Sequence, residues 1–256
     1  MHIVNTHMGV KEAQVNRVLR TLFLAGTVFL FPILANASPV LHMMVGELTG
    51  CATYAEVAQV FGEVSAEAAK NGAMQGSAWR PLHHSGASNT VFFAFLAPDL
   101  EEYGAQMDRL FGSTRSAADR RVAKRMYDCI RVTQRSADLI LAGPTTVSED
   151  VRIADRSVFR LSGQCSDADM VGFMGRYNAW ATARGYPQRG IRRPLYGPQA
   201  DTLVSDGVYP SMAAYTEVTT KMRVASTNPG SEMAQLMADV SKCGTLLSRI
   251  SSQRLQ

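Results

Sequence analysis

The sequence has no glycine-rich phosphate loop, no His-Glu-x-x-His and no Gly-x-Ser-x-Gly, which leaves nucleotide use, zinc proteolysis and ordinary serine hydrolysis without support. It also lacks any cluster of five or more basic residues. Its 26 Lys and Arg are interleaved with 22 Asp and Glu, so no nucleic-acid partner is expected. Cysteine is scarce, at four, and no Cys-x-x-Cys or nearby His supplies a zinc spacing. What is present, 46% apolar and 19% charged residues over 256 positions, is the composition of a folded chain of one or two domains.

The one long apolar run lies at the start. Lys11, Arg17 and Arg20 precede Thr21 to Leu34, a 14-residue apolar stretch, and Ala35-Asn36-Ala37 fits a small-x-small cleavage site. A membrane span usually needs about 20 apolar residues, so residues 1–37 read as a signal peptide cleaved after Ala37, with no stable membrane insertion afterwards. The expected address is periplasmic or secreted. Removing residues 1–37 takes away three basic and one acidic residue, leaving (26 − 3) − (22 − 1) = +2, a nearly neutral mature chain.

The remaining chain repeats itself. Cys51 and Cys165 are 114 apart, as are Cys129 and Cys243. The stripe Val57, Val60, Phe61, Val64, Ala68 returns 113 later as Met170, Phe173, Met174, Tyr177, Ala181, at helical spacing. Arg80-Pro81-Leu82 returns as Arg193-Pro194-Leu195, and Pro98, Leu100, Tyr103 as Pro210, Met212, Tyr215. Two copies of one domain are expected, over 40–142 and 155–253, joined by a linker at 143–154.

Within the first copy, Met43 to Thr49 reads as a strand. Thr53-x-x-Glu56 is a capping box opening a helix, and Ser77 to His83 and Thr90 to Leu96 read as strands. A helix follows Pro98-Asp99, then a further helical piece and a last strand near 130–141. The second copy reads alike, with strands at 157–163, 189–196, 202–208 and 244–251. The order β-α-β-β-α-(α)-β is the ferredoxin-like arrangement, an α+β class. In that topology the end of the first strand lies beside the start of the last. The expected disulfides are therefore Cys51–Cys129 and Cys165–Cys243, permitted by an oxidising compartment.

A tandem pair of such units resembles the dimeric α+β barrel superfamily, which includes the antibiotic-biosynthesis-monooxygenase-like and NIPSNAP-like domains. The resemblance rests on element order, repeat length and the Arg-Pro-Leu and Pro-x-x-x-x-Tyr landmarks. It implies that the two copies pack sheet to sheet as a pseudo-dimer within one chain. Superfamily members include cofactor-free oxygenases, haem-handling enzymes, isomerases and proteins without known activity, so it implies a fold more than a reaction.

Few residues suit chemistry. His83 and His84, at a predicted strand end, suit general-base work, or else form a solvated pair. Asp206 interrupts an apolar strand and is either edge-facing or turned into the barrel. Trp79, Arg80, Arg193 and Tyr196 are the candidate ligand-binding residues, with Arg192 a further cation for an anionic ligand; long Arg stems also cover outer strand faces. His42-Met43-Met44 invites a copper reading, but most methionines fit helix core spacing. No metal or cofactor is implied.

Two function classes follow. One is an exported, non-catalytic module that binds a small apolar or aromatic molecule or serves as an interaction surface. The other is a cofactor-independent monooxygenase or isomerase with His83 or His84, Asp206 and an Arg or Tyr at one pocket.

Overall fold

The computed structural model describes residues 38–255 apart from 71–75, 83–88, 112–115, 145–149 and 198–200. The expected signal peptide, His83 and His84 therefore lie outside the described residues. The first copy runs β1 (Val40–Leu48), α1 (Tyr54–Lys70), β2 (Gly76–Pro81), β3 (Thr90–Ala97), α2 (Leu100–Phe111), α3 (Ala117–Cys129) and β4 (Ile130–Ala142). The second repeats this as β5 (Ile153–Leu161), α4 (Asp167–Thr182), β6 (Arg189–Tyr196), β7 (Thr202–Tyr209), α5 (Met212–Thr227), α6 (Glu232–Cys243) and β8 (Gly244–Arg254). None of these helices is long and apolar enough to cross a membrane.

The helices start where their sequences supply caps. Thr53 Oγ1 accepts from the Glu56 amide at 3.2 Å while Glu56 returns a carboxylate oxygen to the Thr53 amide at 3.0 Å. Ser166 and Asp169 form the same reciprocal pair at the start of α4. Behind the caps, Val57, Phe61 and Val64 bury one face of α1, and Met170, Tyr177 and Ala181 one face of α4. Phe61 stacks on Phe93 of β3 with ring centroids 5.2 Å apart, so the α1 stripe is the sheet-facing one.

The eight strands close into one antiparallel barrel in the order β1-β3-β2-β8-β5-β7-β6-β4. Each copy contributes the ferredoxin-like order β4-β1-β3-β2 or β8-β5-β7-β6. The seams β2–β8 and β4–β6 join the copies edge to edge, so that each of the described strands has a neighbour on both sides. Equivalent positions are set by pairing: His42 faces Phe95 and Ala137 across its neighbours, and Asp155 faces Gly207 and Ser251 across its own. The fold is thus two tandem ferredoxin-like repeats forming a pseudo-dimeric α+β barrel. Disulfides join Cys51 to Cys129 and Cys165 to Cys243, one in each copy.

The structure extends several strands beyond their sequence-based limits, three of them by three residues or more. β1 begins at Val40 rather than 43, β5 begins at Ile153 rather than 157, and β8 runs to Arg254 rather than 251. The added residues of β8 form the seam, with Trp79 opposite Arg254 and Pro81 opposite Ser252.

Candidate functional site

Strand alternation divides the barrel residues into two sets. In β1, Val40, His42 and Met44 are buried against the helical layer, whereas Leu41, Met43 and Val45 line the barrel interior. The interior is a cavity of about 440 Å³, within the range of roughly 300–1,000 Å³ typical of small-molecule sites.

The two copies line it differently. Met43 pairs with Ala94 and Trp79 with Phe92 in the first copy, all four facing the cavity. At the matching positions of the second copy, Arg156 pairs with Asp206, and Arg192 stands in place of Trp79. The wall of the lumen made by β1, β3 and β2 is therefore largely apolar and aromatic, and the wall made by β5, β7 and β6 carries two guanidinium groups and a carboxylate. Asp138 of β4 adds a second carboxylate, where the second copy has Ser252.

These four groups form one network. Arg192 donates from Nη1 to Asp138 Oδ2 at 2.8 Å and from Nε to Asp206 Oδ2. Arg156 Nη2 reaches the same Asp138 oxygen at 3.4 Å. Asp138 is 0% exposed and Arg192 4%. Burial lowers the Arg156 guanidinium from its ordinary value, helped by the charge of Arg192. Burial pulls Arg192 the same way, but Asp206 and Asp138 outweigh it and raise its pKa. Asp138 Oδ1 is buried and has no hydrogen-bond partner among the described residues.

The structure brings Trp79, Arg192 and Asp206 to the same cavity and places Arg80, Arg193 and Tyr196 elsewhere. Trp79 Nε1 donates to Ser77 Oγ at 2.8 Å, so its ring is fixed against the lumen wall. Arg80 lies on the outer side, donating to Gln253 Oε1 at 2.6 and 3.1 Å with its guanidinium 5.8 Å from the Tyr54 ring. Arg193 binds Asp167 at the start of α4 and the Thr202 carbonyl. Asp138 and Arg156 were missed by sequence reasoning. The available signal was parity: Asp138 stands two residues before Ile140, another cavity-facing residue of β4.

Tyr196, itself 41% exposed, reaches a second group on the helical side of β1, whose other members His42 and Tyr103 are buried. Its hydroxyl is 2.5 Å from that of Tyr103, and both lie 3.4 Å from His42 Nδ1. Burial, then the charge of Arg135, pushes the His42 imidazole down to about 4, against a small opposing effect from the Ser136 backbone. Burial and the bond to Tyr196 raise the Tyr103 hydroxyl. His42 is therefore neutral at pH 7. The unfolded chain takes up this proton near 6.5 and the folded chain only near 4, so stability should fall as pH drops through that window. The expected loss is roughly 3 kcal/mol. Urea titrations of the wild type and His42→Phe at several pH values between 7 and 4 would check this; the variant should lack that component of the decline.

No known family model matches the chain, and no curated protein matches its sequence. Its fold is similar to the crystal structure of a candidate monooxygenase from Fusobacterium nucleatum, with TM-score 0.58 and 9% identity over 86% of this chain and 94% of that one. A candidate monooxygenase from Lactobacillus acidophilus gives 0.53 at 8% identity, covering 86% and 95%. An anthrone oxidase-like protein gives 0.54 at 8%, covering 87% and 93%. At these identities the likeness shows the fold, that of the dimeric α+β barrels. Among the described side chains lining the lumen there is no imidazole, thiolate or phenol, so the lumen does not fit the usual iron ligands of a haem.

Proposed function

We propose that this is an exported enzyme that binds a small aromatic or apolar substrate in the barrel lumen and transforms it without a resident cofactor, as an oxygenase or isomerase. The observation that carries this reading is the buried ionic network of Asp138, Arg156, Arg192 and Asp206 in the wall of the chamber, facing the largely apolar wall of β1, β3 and β2. Desolvating four charges costs more than filling the same positions with apolar groups. Where the second copy has Arg156, Asp206 and Arg192 the first has Met43, Ala94 and Trp79, and where the first has Asp138 the second has Ser252, so the fold itself does not require any of the charges. Charges placed in a cavity at such cost mark a site of chemistry.

The network supplies the parts of a proton abstraction. The Asp206 carboxylate accepts a proton from an activated substrate C–H, and the Arg192 and Arg156 guanidinium groups stabilise the anion formed. A stabilised carbanion at a methylene carbon can react with molecular oxygen. One oxygen atom becomes the carbonyl oxygen of a ketone at that carbon, and the other leaves as water with both methylene hydrogens. Reprotonation at another carbon gives isomerisation instead. The similarity to candidate monooxygenases and to an anthrone oxidase-like protein supports the first outcome. Export is supported by the two disulfides and by the N-terminal segment ending at Ala37.

An oxygen electrode, with product analysis, tests the catalytic reading on a panel of aromatic compounds bearing an acidic methylene group. The wild type should consume one molecule of oxygen per ketone formed or convert the substrate to an isomer, and Asp206→Asn should be slower by on the order of 100-fold with an unchanged far-UV spectrum. Equal rates in the two proteins, or no turnover of any compound, would leave the lumen a binding chamber and remove the catalytic claim.

A further inference from the structure

Of the four charged groups in the lumen wall, Asp206 is the most accessible: its side chain is 22% exposed, against 18% for Arg156, 5% for Arg192 and 0% for Asp138. Its cross-strand neighbour on β6 is Gly190, which also lines the cavity. Neither the backbone nor the packing requires a glycine there. Gly190 does not have a positive φ, and beyond its chain neighbours a Cβ placed on it would meet one described atom within 4 Å, Ala142 O at 3.4 Å, an ordinary contact. The first copy carries a side chain at the equivalent position, Ser77, which pairs with Ala94 as Gly190 pairs with Asp206. A glycine within a strand costs backbone entropy and packs nothing, so one that the fold does not need marks a place where something else comes close.

The opposite wall sets what comes close. In the ring of eight strands β2 and β3 stand four places from β6 and β7, so Trp79 and Phe92 lie across the lumen from the wall that holds Gly190 and Asp206. A molecule that rests on Trp79 and Phe92 and also reaches Asp206 must span the lumen, ending where a side chain at position 190 would otherwise stand. We infer that Gly190 is a specificity-determining residue, whose bare backbone admits the edge of a flat, fused-ring aromatic compound spanning the lumen from Trp79 to Asp206. This rests on the reading of the lumen as the ligand site and narrows it: the substrate class is a compound of two or more fused rings with its acidic methylene at the edge that meets Asp206. A single-ring compound can rest on Trp79 without reaching β6, so its binding does not depend on position 190.

Calorimetric titration of the full mature chain with 2-naphthol and with phenol tests this. Wild type should bind 2-naphthol at least about tenfold more tightly than phenol, from the larger apolar area buried. Gly190→Ala should weaken 2-naphthol by about tenfold and Gly190→Val by more, because the added groups occupy space the second ring needs, whereas phenol should change by less than about twofold. Gly190→Ala should melt at or above the wild-type temperature, since the substitution removes the entropy cost of the glycine. A lower melting temperature for Gly190→Ala, equal losses for the two probes, or 2-naphthol binding unchanged in both variants overturns the inference and leaves the lumen as the site. Failure of both probes to bind the wild type overturns the lumen reading, and the inference falls with it.

Discussion

Replacing both cysteines of either disulfide with Ala should lower the unfolding free energy by about 4 kcal/mol. Each bridge closes a loop of 78 residues, so the chain-entropy cost removed from the unfolded ensemble is the same for Cys51–Cys129 and Cys165–Cys243. The bridges also sit at equivalent places. Cys51 N donates to Cys129 O at 3.1 Å at the β1–α1 connection, and Ser162 N donates to Cys243 O at 2.7 Å in the second copy. Losing both pairs should remove about 8 kcal/mol, comparable with the whole stability of an ordinary domain. Guanidinium titrations with and without reductant check this. Coincident transitions would contradict it, as would a peptide map showing pairing across the copies.

The second large effect is expected at the position where the copies differ most on their helical side. Where the first copy places neutral His42, the second places Asp155, 0% exposed, which accepts from Arg189 Nη1 at 2.7 Å and from Arg249 at 2.8 and 2.9 Å. Burial alone would raise the Asp155 carboxyl, but the bond from Arg249 and the charge of Arg189 hold it below the usual carboxylate range. Arg189 also reaches Ser205 and Tyr209, so its guanidinium closes the network. Arg189→Met should destabilise by about 3–5 kcal/mol, because it strips a partner from a buried charge. That corresponds to roughly 10 °C in melting temperature for a chain of this size. Arg189→Met with Asp155→Leu should lose less than the sum of the single changes, since the double variant leaves no buried carboxylate that has lost one of its two guanidinium partners. Strict additivity in a double-mutant cycle would show that the two residues act independently.

The repeat made much of the fold legible. Cysteines, prolines and helical stripes recur because both copies solve the same packing problem, so the disulfides and the ferredoxin-like order follow from spacing. Barrel closure was harder to see. It depends on Trp79 to Pro81 meeting Ser252 to Arg254, and a polar Ser-Ser-Gln-Arg end carries no apolar alternation to mark it as strand. The same effect hid half of the site. β5 opens Ile153-Ala154-Asp155-Arg156-Ser157, where charge on both faces disguises a strand whose Asp155 is buried under helices and whose Arg156 faces the lumen. Asp206 could be singled out because it stands alone in an apolar strand. Asp138 carried only the parity signal, because its significance comes from Arg192, 54 residues away in sequence and hydrogen-bonded to it across the seam between β4 and β6.

The central claim is that the barrel lumen, rather than a surface between sheet and helices, holds the ligand. A crystal structure of the mature chain grown with 2-naphthol tests it directly. The account predicts density for the ring inside the lumen, against Trp79 and Phe92 and beside the Arg192–Asp206 pair. Density beside His42 and Tyr103 on the helical side, with an unaltered lumen, would contradict it.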